Sequence, residues 1–396
     1  MGIMSTDKFI YLDNNATTPL DPGVIEEMLP FLATNYGNPS SGYGFAAKAR
    51  KAIDLARERL AALLGCEPSE IIFTSGGTES NNAVVHSALQ FEPRGKHVVT
   101  SAVEHSAVLR PCQDLEKRGS TVTFLAVDRD GSVDVAELES AILPQTALVS
   151  IMWANNETGV LFPVDKIAGI CRSKGVLFHT DAVQAVGKIP TGLRDTAVNF
   201  LSLSAHKFHG PKGVGALYVR RGTRFRALIA GGGQENGRRG GTENVASIAG
   251  LGKAADLAVK YLEEGKCSVH AMRDRFERSI LEMVSGVSVN GVSAAAGRVP
   301  NTSSLFFEGI ESDAALLLLD RNGICCSAGS ACRTGSQEAS HVLRAMNPTG
   351  DGARRSLRFS FSRFNTEAEI DRAVEILPKV IEKLRQRSPI REPIVA

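Results

Sequence analysis

The chain is poor in the features that commit a sequence to a specialised class. Seven cysteines in 396 residues, at 66, 112, 171, 267, 325, 326 and 332, are an odd and sparse set. No signal-peptide pattern opens the chain, so a disulfide framework is excluded as the organising principle and a reducing cytosol is the expected compartment. Long apolar runs are lacking. Stretches such as Ala314 to Leu319 fall far below the roughly 20 residues that span a bilayer, so no membrane partner is expected. Charge of one sign is also lacking. Lys and Arg number 45 against 43 Asp and Glu, a net +2 with no long single-sign block, which argues against nucleic acid or anionic lipid as the main partner. Neither a Walker A motif nor a G-x-G-x-x-G occurs, and no internal repeat or low-complexity linker is found.

With 43% hydrophobic and 22% charged residues the chain is globular, and at about 150 residues per domain it makes two or three units. From about residue 70 to 220, strand-like runs alternate with helical stretches: Ile71 to Phe73, His97 to Thr100, Val122 to Val127, Ala147 to Trp153, Val176 to Thr180, Phe200 to Ser204 and Val214 to Val219. Amphipathic helices are expected over Ser80 to Leu89, Ser106 to Lys117 and Asp165 to Lys174. Apolar strands separated by helices predict a largely parallel sheet covered on both faces. Only a loop around Gly210-Pro211-Lys212-Gly213 joins the last two runs, so an antiparallel member is expected there. A helical stretch from about Asn244 to Val284 then leads into a smaller α+β unit. Its expected elements are strands near Val287 and Ser304, a helix from Ser312 to Arg321, a strand from Leu357 to Ser362 and a closing helix from Thr366 to Arg387.

Several polar groups fall at the carboxyl ends of predicted strands, where such sheets bind ligands. Thr74-Ser75-Gly76-Gly77-Thr78-Glu79-Ser80-Asn81 turns from a strand into a helix and offers free backbone N–H groups to an anion; an ordinary capped turn is the bland alternative. Asp181, in Phe178-His179-Thr180-Asp181-Ala182-Val183-Gln184, is either a helix cap or a carboxylate for a cationic group such as a protonated pyridine nitrogen. Lys207, in Ser204-Ala205-His206-Lys207, is a Schiff-base candidate if desolvated. Pyridoxal phosphate requires those three contacts together: phosphate, pyridinium nitrogen and aldehyde. His105 sits where an imidazole can stack on a ring or open a helix. Asn155-Asn156-Glu157-Thr158-Gly159 forms another polar strand end. His206 and His209 are loosely spaced for a metal and lack an evident partner. Cys332 lies among Ser327-Ala328-Gly329-Ser330-Ala331-Cys332-Arg333-Thr334-Gly335-Ser336, a composition that suits a mobile loop and a reactive thiol, whereas Cys325 and Cys326 are expected in a core. Arg358 interrupts an alternating strand as either a buried ion pair or a clamp for a substrate carboxylate.

Taken in order, Tyr11 to Thr18, Gly37 to Ser41, Thr74 to Asn81, Trp153 to Gly159, His179 to Gln184, Ser204 to Lys207, Arg238 to Asn244 and Gly329 to Cys332 resemble the cysteine desulfurases, most closely the nitrogen-fixation (NifS) type. The resemblance runs from about Tyr11 to Pro389. It implies the α/β architecture of fold type I pyridoxal-phosphate enzymes, aspartate aminotransferase-like, with a mostly parallel seven-stranded sheet. The expected division is a large cofactor domain over 20–262 and a small domain made of 1–19 and 263–396, which carries the catalytic-cysteine loop at about 327–337.

The resemblance further implies a homodimer with pyridoxal 5'-phosphate, acting on L-cysteine and passing sulfur to an iron–sulfur scaffold or another acceptor protein. In it Lys207 anchors the cofactor and moves protons, Asp181 keeps the ring nitrogen protonated, His105 stacks on the ring, and Gln184 and Asn156 contact its substituents. Gly77, Thr78, Ser204 and His206 match the phosphate positions, and Thr242 matches a residue that reaches the phosphate from the other subunit. Asn38 and Arg358 match the substrate-carboxylate positions. The Cys332 thiolate takes the sulfur as a persulfide. No permanent metal is implied, although transient iron–sulfur occupation of Cys332 stays open. Arg333-Thr334 departs from the Thr or Ser followed by Ser of many relatives.

Within the same fold, a selenocysteine lyase or another class V enzyme would share Asp181, Lys207 and the phosphate site. The cysteine discriminates against an aminotransferase or a kynureninase-like hydrolase, which need no nucleophilic thiol. A cluster scaffold using Cys325, Cys326 and Cys332 is disfavoured, because adjacent strand residues point to opposite faces.

Overall fold

Seven short apolar runs become one sheet because their residues can be buried on both faces at once. The computed structural model describes residues 9–91, 96–264, 268–292, 297–328, 339–347 and 350–387. The chain opens with β1 (Ile10–Tyr11), α1 (Pro22–Ala33) and α2 (Ala47–Leu64). An alternating stretch follows: β2 (Ile71–Thr74), α3 (Gly77–Phe91), β3 (His97–Ser101), α4 (Ser106–Lys117), β4 (Thr121–Leu125) and α5 (Val135–Ala141). It continues through β5 (Thr146–Ser150), α6 (Val164–Ser173), β6 (Leu177–Asp181), β7 (Phe200–Ser204) and β8 (Gly215–Val219). Then come α7 (Val245–Glu263), α8 (Ser268–Met283), β9 (Val287–Val289), β10 (Thr302–Phe307) and α9 (Ser312–Arg321). The described chain closes with β11 (Ile324–Cys325), α10 (His341–Met346), β12 (Ser356–Ser360) and α11 (Glu367–Arg387).

The large sheet has the order β2-β8-β7-β6-β5-β3-β4, and all seven predicted strands are in it. The loop-connected β8 runs antiparallel to both its neighbours, while β7, β6, β5, β3 and β4 run parallel. Consequently β2, β3, β5, β6 and β7 all end at one edge. Every residue of β2, β3, β5, β7 and β8 is buried, whereas the edge strand β4 is only partly so. A β12-β10-β9 antiparallel sheet and the parallel pair β1–β11 lie elsewhere in the chain. Their own core is aromatic: the Phe276 ring centroid on α8 sits 4.8 Å from that of Phe359 and 5.4 Å from that of Phe361.

Two expectations need correction. The helical stretch from Asn244 to Val284 is two helices, α7 and α8. Gly265, a poor helix former, falls between them in the sequence. Cys325 and Cys326 are both half-buried, and of the two only Cys326 packs against the small core. Pairing of β11 on one side only, with β1, leaves that segment at the margin of its sheet.

Helices α2 and α7 pack backbone to backbone. A Cβ placed on Gly252 would come within 2.4 Å of Ala56 Cα and 2.6 Å of Ala56 Cβ. Ala is the better helix former by about 1 kcal/mol. Here overpacking outweighs that gain, because the obstructing atom is backbone and cannot rotate away. Gly252→Ala should therefore lower stability by about 1–3 kcal/mol, read as a fall in the urea midpoint. A rise would show that the helices separate freely.

Candidate active site

A cavity of about 1090 Å³ opens at the carboxyl edge of the large sheet. Gly77, Thr78, His105, Asn156, Asp181 and Gln184 line it, as do Ser204, His206, Lys207 and Arg358. Ten positions spread over nearly 300 residues thus share one cavity: nine lie at or just after ends of the large sheet's strands, and Arg358 comes from β12 of the small sheet.

At one end, α3 begins at Gly77 directly after β2. Its first-turn N–H groups have no partner within the helix and carry the positive end of the dipole. A Cβ on Gly77 would lie 2.6 Å from Val183 Cγ2, so only glycine lets this turn sit so low against the segment after β6. His206 Nδ1 lies 3.1 Å from Thr17 Oγ1. Burial, then the like charges of Lys207, Lys212 and Lys188, push the His206 pKa down to about 4, so the ring is neutral at pH 7. The result is a cradle of helix N–H groups with a neutral imidazole lining the same cavity.

Asp181 ends β6 and is 5% exposed. Its Oδ2 accepts from Asn81 Nδ2 at 2.6 Å and its Oδ1 from the Val183 N–H at 3.0 Å. A carboxylate has about four acceptor sites, so capacity remains for a further donor. Lys207 follows β7, and its Nζ donates to the carbonyls of Asn15 at 2.6 Å and Ala16 at 2.9 Å. His105 is the N-cap of α4: its Nδ1 accepts from the Ala107 N–H at 3.1 Å, which places the proton of a neutral ring on Nε2. Anion cradle, buried carboxylate and strand-end amine share one cavity, and this donor set fits pyridoxal phosphate.

Of the two forms weighed from the sequence, the structure shows the ion pair for Arg358. It lines the cavity, yet its Nη2 is paired with Asp13 Oδ1 at 2.7 Å and its Nη1 donates to the Asn156 carbonyl at 3.0 Å. The fork is therefore held in place before any substrate arrives. Asn38 and Thr242 are not brought to this wall: both are exposed, and Asn38 Oδ1 accepts from the Ser40 N–H at 2.9 Å. His209 faces away from the main cavity, its Nδ1 3.0 Å from the Pro19 carbonyl. Among the described residues no group of three or more His, Cys, Asp or Glu side chains could hold a metal. Cys332, Arg333 and most of the expected loop lie outside the described residues. The chain on either side is fastened at the cavity. Ser327 and Arg358 exchange backbone hydrogen bonds of 3.1 and 2.6 Å, and Ser340 Oγ donates to Glu157 Oε2 at 2.5 Å.

Comparison with known proteins agrees with this geometry. Residues 10–373 match the family described as aminotransferase class-V. A cysteine desulfurase from Nostoc sp. (strain PCC 7120) is 50% identical over 382 residues, 96% of this chain and 95% of that protein. The cysteine desulfurase NifS of Azotobacter vinelandii is 49% identical over 381 residues, 96% of this chain and 94% of its own. The solved structure of a NifS-like protein superposes with a TM-score of 0.88 at 39% identity, covering 95% of this chain and all of that one.

Three groups near the site carried no distinctive sequence signal: the half-buried Asp13 and Lys188, and the buried Glu104. Glu104 precedes His105 and is fully buried. Its Oε1 accepts from Ser101 Oγ at 2.8 Å and from the Met152 N–H at 2.9 Å, while Oε2 has no partner among the described residues. Burial, with the charge of Asp181 adding, raises its pKa to about 8. A carboxyl whose folded pKa is raised holds its proton in the native state after the unfolded chain has lost it. Stability is then full below the unfolded value near 4.3 and declines, by at most about 1.4 kcal/mol per unit, until pH reaches about 8. Glu104→Gln keeps the neutral shape. It should flatten this part of the thermal-midpoint profile between pH 5 and 8, and an unchanged slope would show that Glu104 is ionised in the fold.

Proposed function

Because the chain belongs to the aminotransferase class-V family and within it to the cysteine desulfurases, we propose that it converts L-cysteine to L-alanine and carries the sulfur away as a persulfide on Cys332. It is a pyridoxal-phosphate-dependent enzyme. When bound, the cofactor supplies a sink for the electron pair left as the substrate α-proton departs.

Each residue has a part. Lys207 anchors the cofactor and, once displaced by substrate, takes and returns the proton at the α-carbon. Asp181 keeps the ring nitrogen protonated through the acceptor capacity left beyond Asn81 and Val183. Gly77, Thr78, Ser204 and His206 take the phosphate, His105 covers the ring face, and Gln184 and Asn156 meet its substituents. Arg358, with Asn38, takes the substrate carboxylate. The Cys332 thiolate attacks the substrate sulfur: the carbon–sulfur bond breaks, a sulfur–sulfur bond forms, and the carbon fragment leaves as alanine after protonation.

The observation that carries this reading is the convergence of cradle, carboxylate and amine in one cavity to which the chain on both sides of Cys332 is fastened. Thr242 acts across a homodimer in this reading. Its support is a set of exposed apolar residues on and after α1: Leu29, Leu32, Tyr36, Tyr43 and Phe45 are 49–77% exposed. Residues 20–262 form the cofactor domain, and 1–19 with 263–396 the small one. No helix among the described residues is long and apolar enough to cross a membrane, and the reading places the enzyme in the cytoplasm, handing sulfur to an iron–sulfur scaffold or a similar acceptor.

Two variants separate the roles. Cys332→Ala should keep the cofactor's visible band and its change on adding L-cysteine, yet form neither persulfide nor alanine at a significant rate. Lys207→Ala should lose the lysine-linked band and slow alanine formation by about 10²–10⁴-fold. Undiminished alanine production by Cys332→Ala would refute the proposed nucleophile.

A further inference from the structure

Lys207 has a cavity on each side. Behind it, away from the main site, lies a small one of about 40 Å³. Lys188 lines this rear space together with His209 and Arg363. A second lysine so close to the anchoring one is unusual, because burying like charges together is costly.

The turn after β6 delivers it there. Gly187 has φ of +76°, and a Cβ on it would meet Phe208 Cβ at 2.6 Å, so glycine alone lets the chain reverse against the Lys207 segment. Lys188 Nζ then donates to Gln184 Oε1 at 2.5 Å and to Asn15 Oδ1 at 2.9 Å. Gln184 Nε2 in turn donates to the Asn15 carbonyl at 2.9 Å, the same oxygen that receives Lys207 Nζ at 2.6 Å. An ammonium has donors only, so it draws the amide oxygen of Gln184 to itself and leaves the amide nitrogen for the Asn15 carbonyl, with a second N–H to spare.

Building on the pyridoxal-phosphate reading, we infer that Lys188 is a positioning residue: it fixes the direction of the Gln184 amide and of Asn15, and through them sets the proton affinity at the cofactor–Lys207 linkage. The charged neighbours agree in sign. Lys207 and Arg358 face Lys188, and burial followed by their charge lowers its pKa well below the usual lysine range, so the two lysines compete and a proton on either disfavours one on the other. Across the rear space, Arg363 is paired with Asp21 at 2.6 Å, and the His209 pKa is pushed down to about 4 by burial and Arg363, leaving that ring neutral at pH 7. The atoms that accept from Lys188 are neutral amide oxygens, so no carboxylate bonded to it cancels its charge. A fixed amide donor beside Lys207 and a cation behind it would both disfavour a proton on the linkage.

The test is a pH titration of the visible absorption of the holoenzyme, without substrate. In Lys188→Met the midpoint should rise by about half a unit to one unit, whereas Lys188→Arg, which keeps charge and donors, should stay closer to the native value. Lys188→Gln, milder in shape but uncharged, should also rise and serves if the Met variant fails to fold. Midpoints that match the native one in every folded variant overturn the inference. A native protein that binds pyridoxal phosphate with no titrating band would instead overturn the cofactor reading itself, so the two failures are distinct.

Discussion

Asn15 is the joint on which the site depends. It is 2% exposed, and all of its polar groups are used. Its backbone N–H donates to Ser360 Oγ, and its side-chain nitrogen donates to the Asn156 carbonyl and Thr302 Oγ1. Its carbonyl receives Lys207 and Gln184, and its side-chain oxygen receives Lys188 and Asn301. One residue thereby binds the carboxyl edge of the large sheet to β10 and β12. A buried amide with every site satisfied is stiff, since any displacement leaves several partners unpaired at once.

The neighbouring residues extend that joint. Asp13 pairs with Arg358, Thr17 meets His206, and the Thr18 hydroxyl donates to the His206 carbonyl and accepts from the His209 N–H. The N-terminal strip therefore meets the His206 imidazole, the Lys207 amine and the Arg358 guanidinium, three groups that line the one cavity. Electrostatics follow from this enclosure. Burial keeps His206 neutral and Glu104 protonated near pH 7, while Asp181 receives two donors. Charge is thus confined to groups with a partner, and the remainder are neutralised by desolvation.

Family membership and enzyme class rest on long sequence likeness, and the geometry supplies reasons for it. A sheet whose strands end together makes one wall from residues far apart in the chain, and α3 adds an anion cradle to that wall. Chemistry of this kind needs positioned groups more than any unusual residue.

The sequence by itself determined the seven strands, the antiparallel place of β8 and most helices, because burial on two faces and helical periodicity are local patterns. It also located the Gly76-Gly77 turn, Asp181 and Lys207 at strand ends, since each lies at or just after the end of a strand. Only the tertiary structure decided what those groups touch. Asn15 and Lys188 reach the site through contacts across 169 to 192 positions of chain with Gln184 and Lys207, or through a turn made by Gly187. Glu104 looked like any acid beside a histidine until the strands closed over it. Burial and pairing belong to the assembled chain, because they depend on which distant atoms exclude water from a group, and no window of sequence contains those atoms.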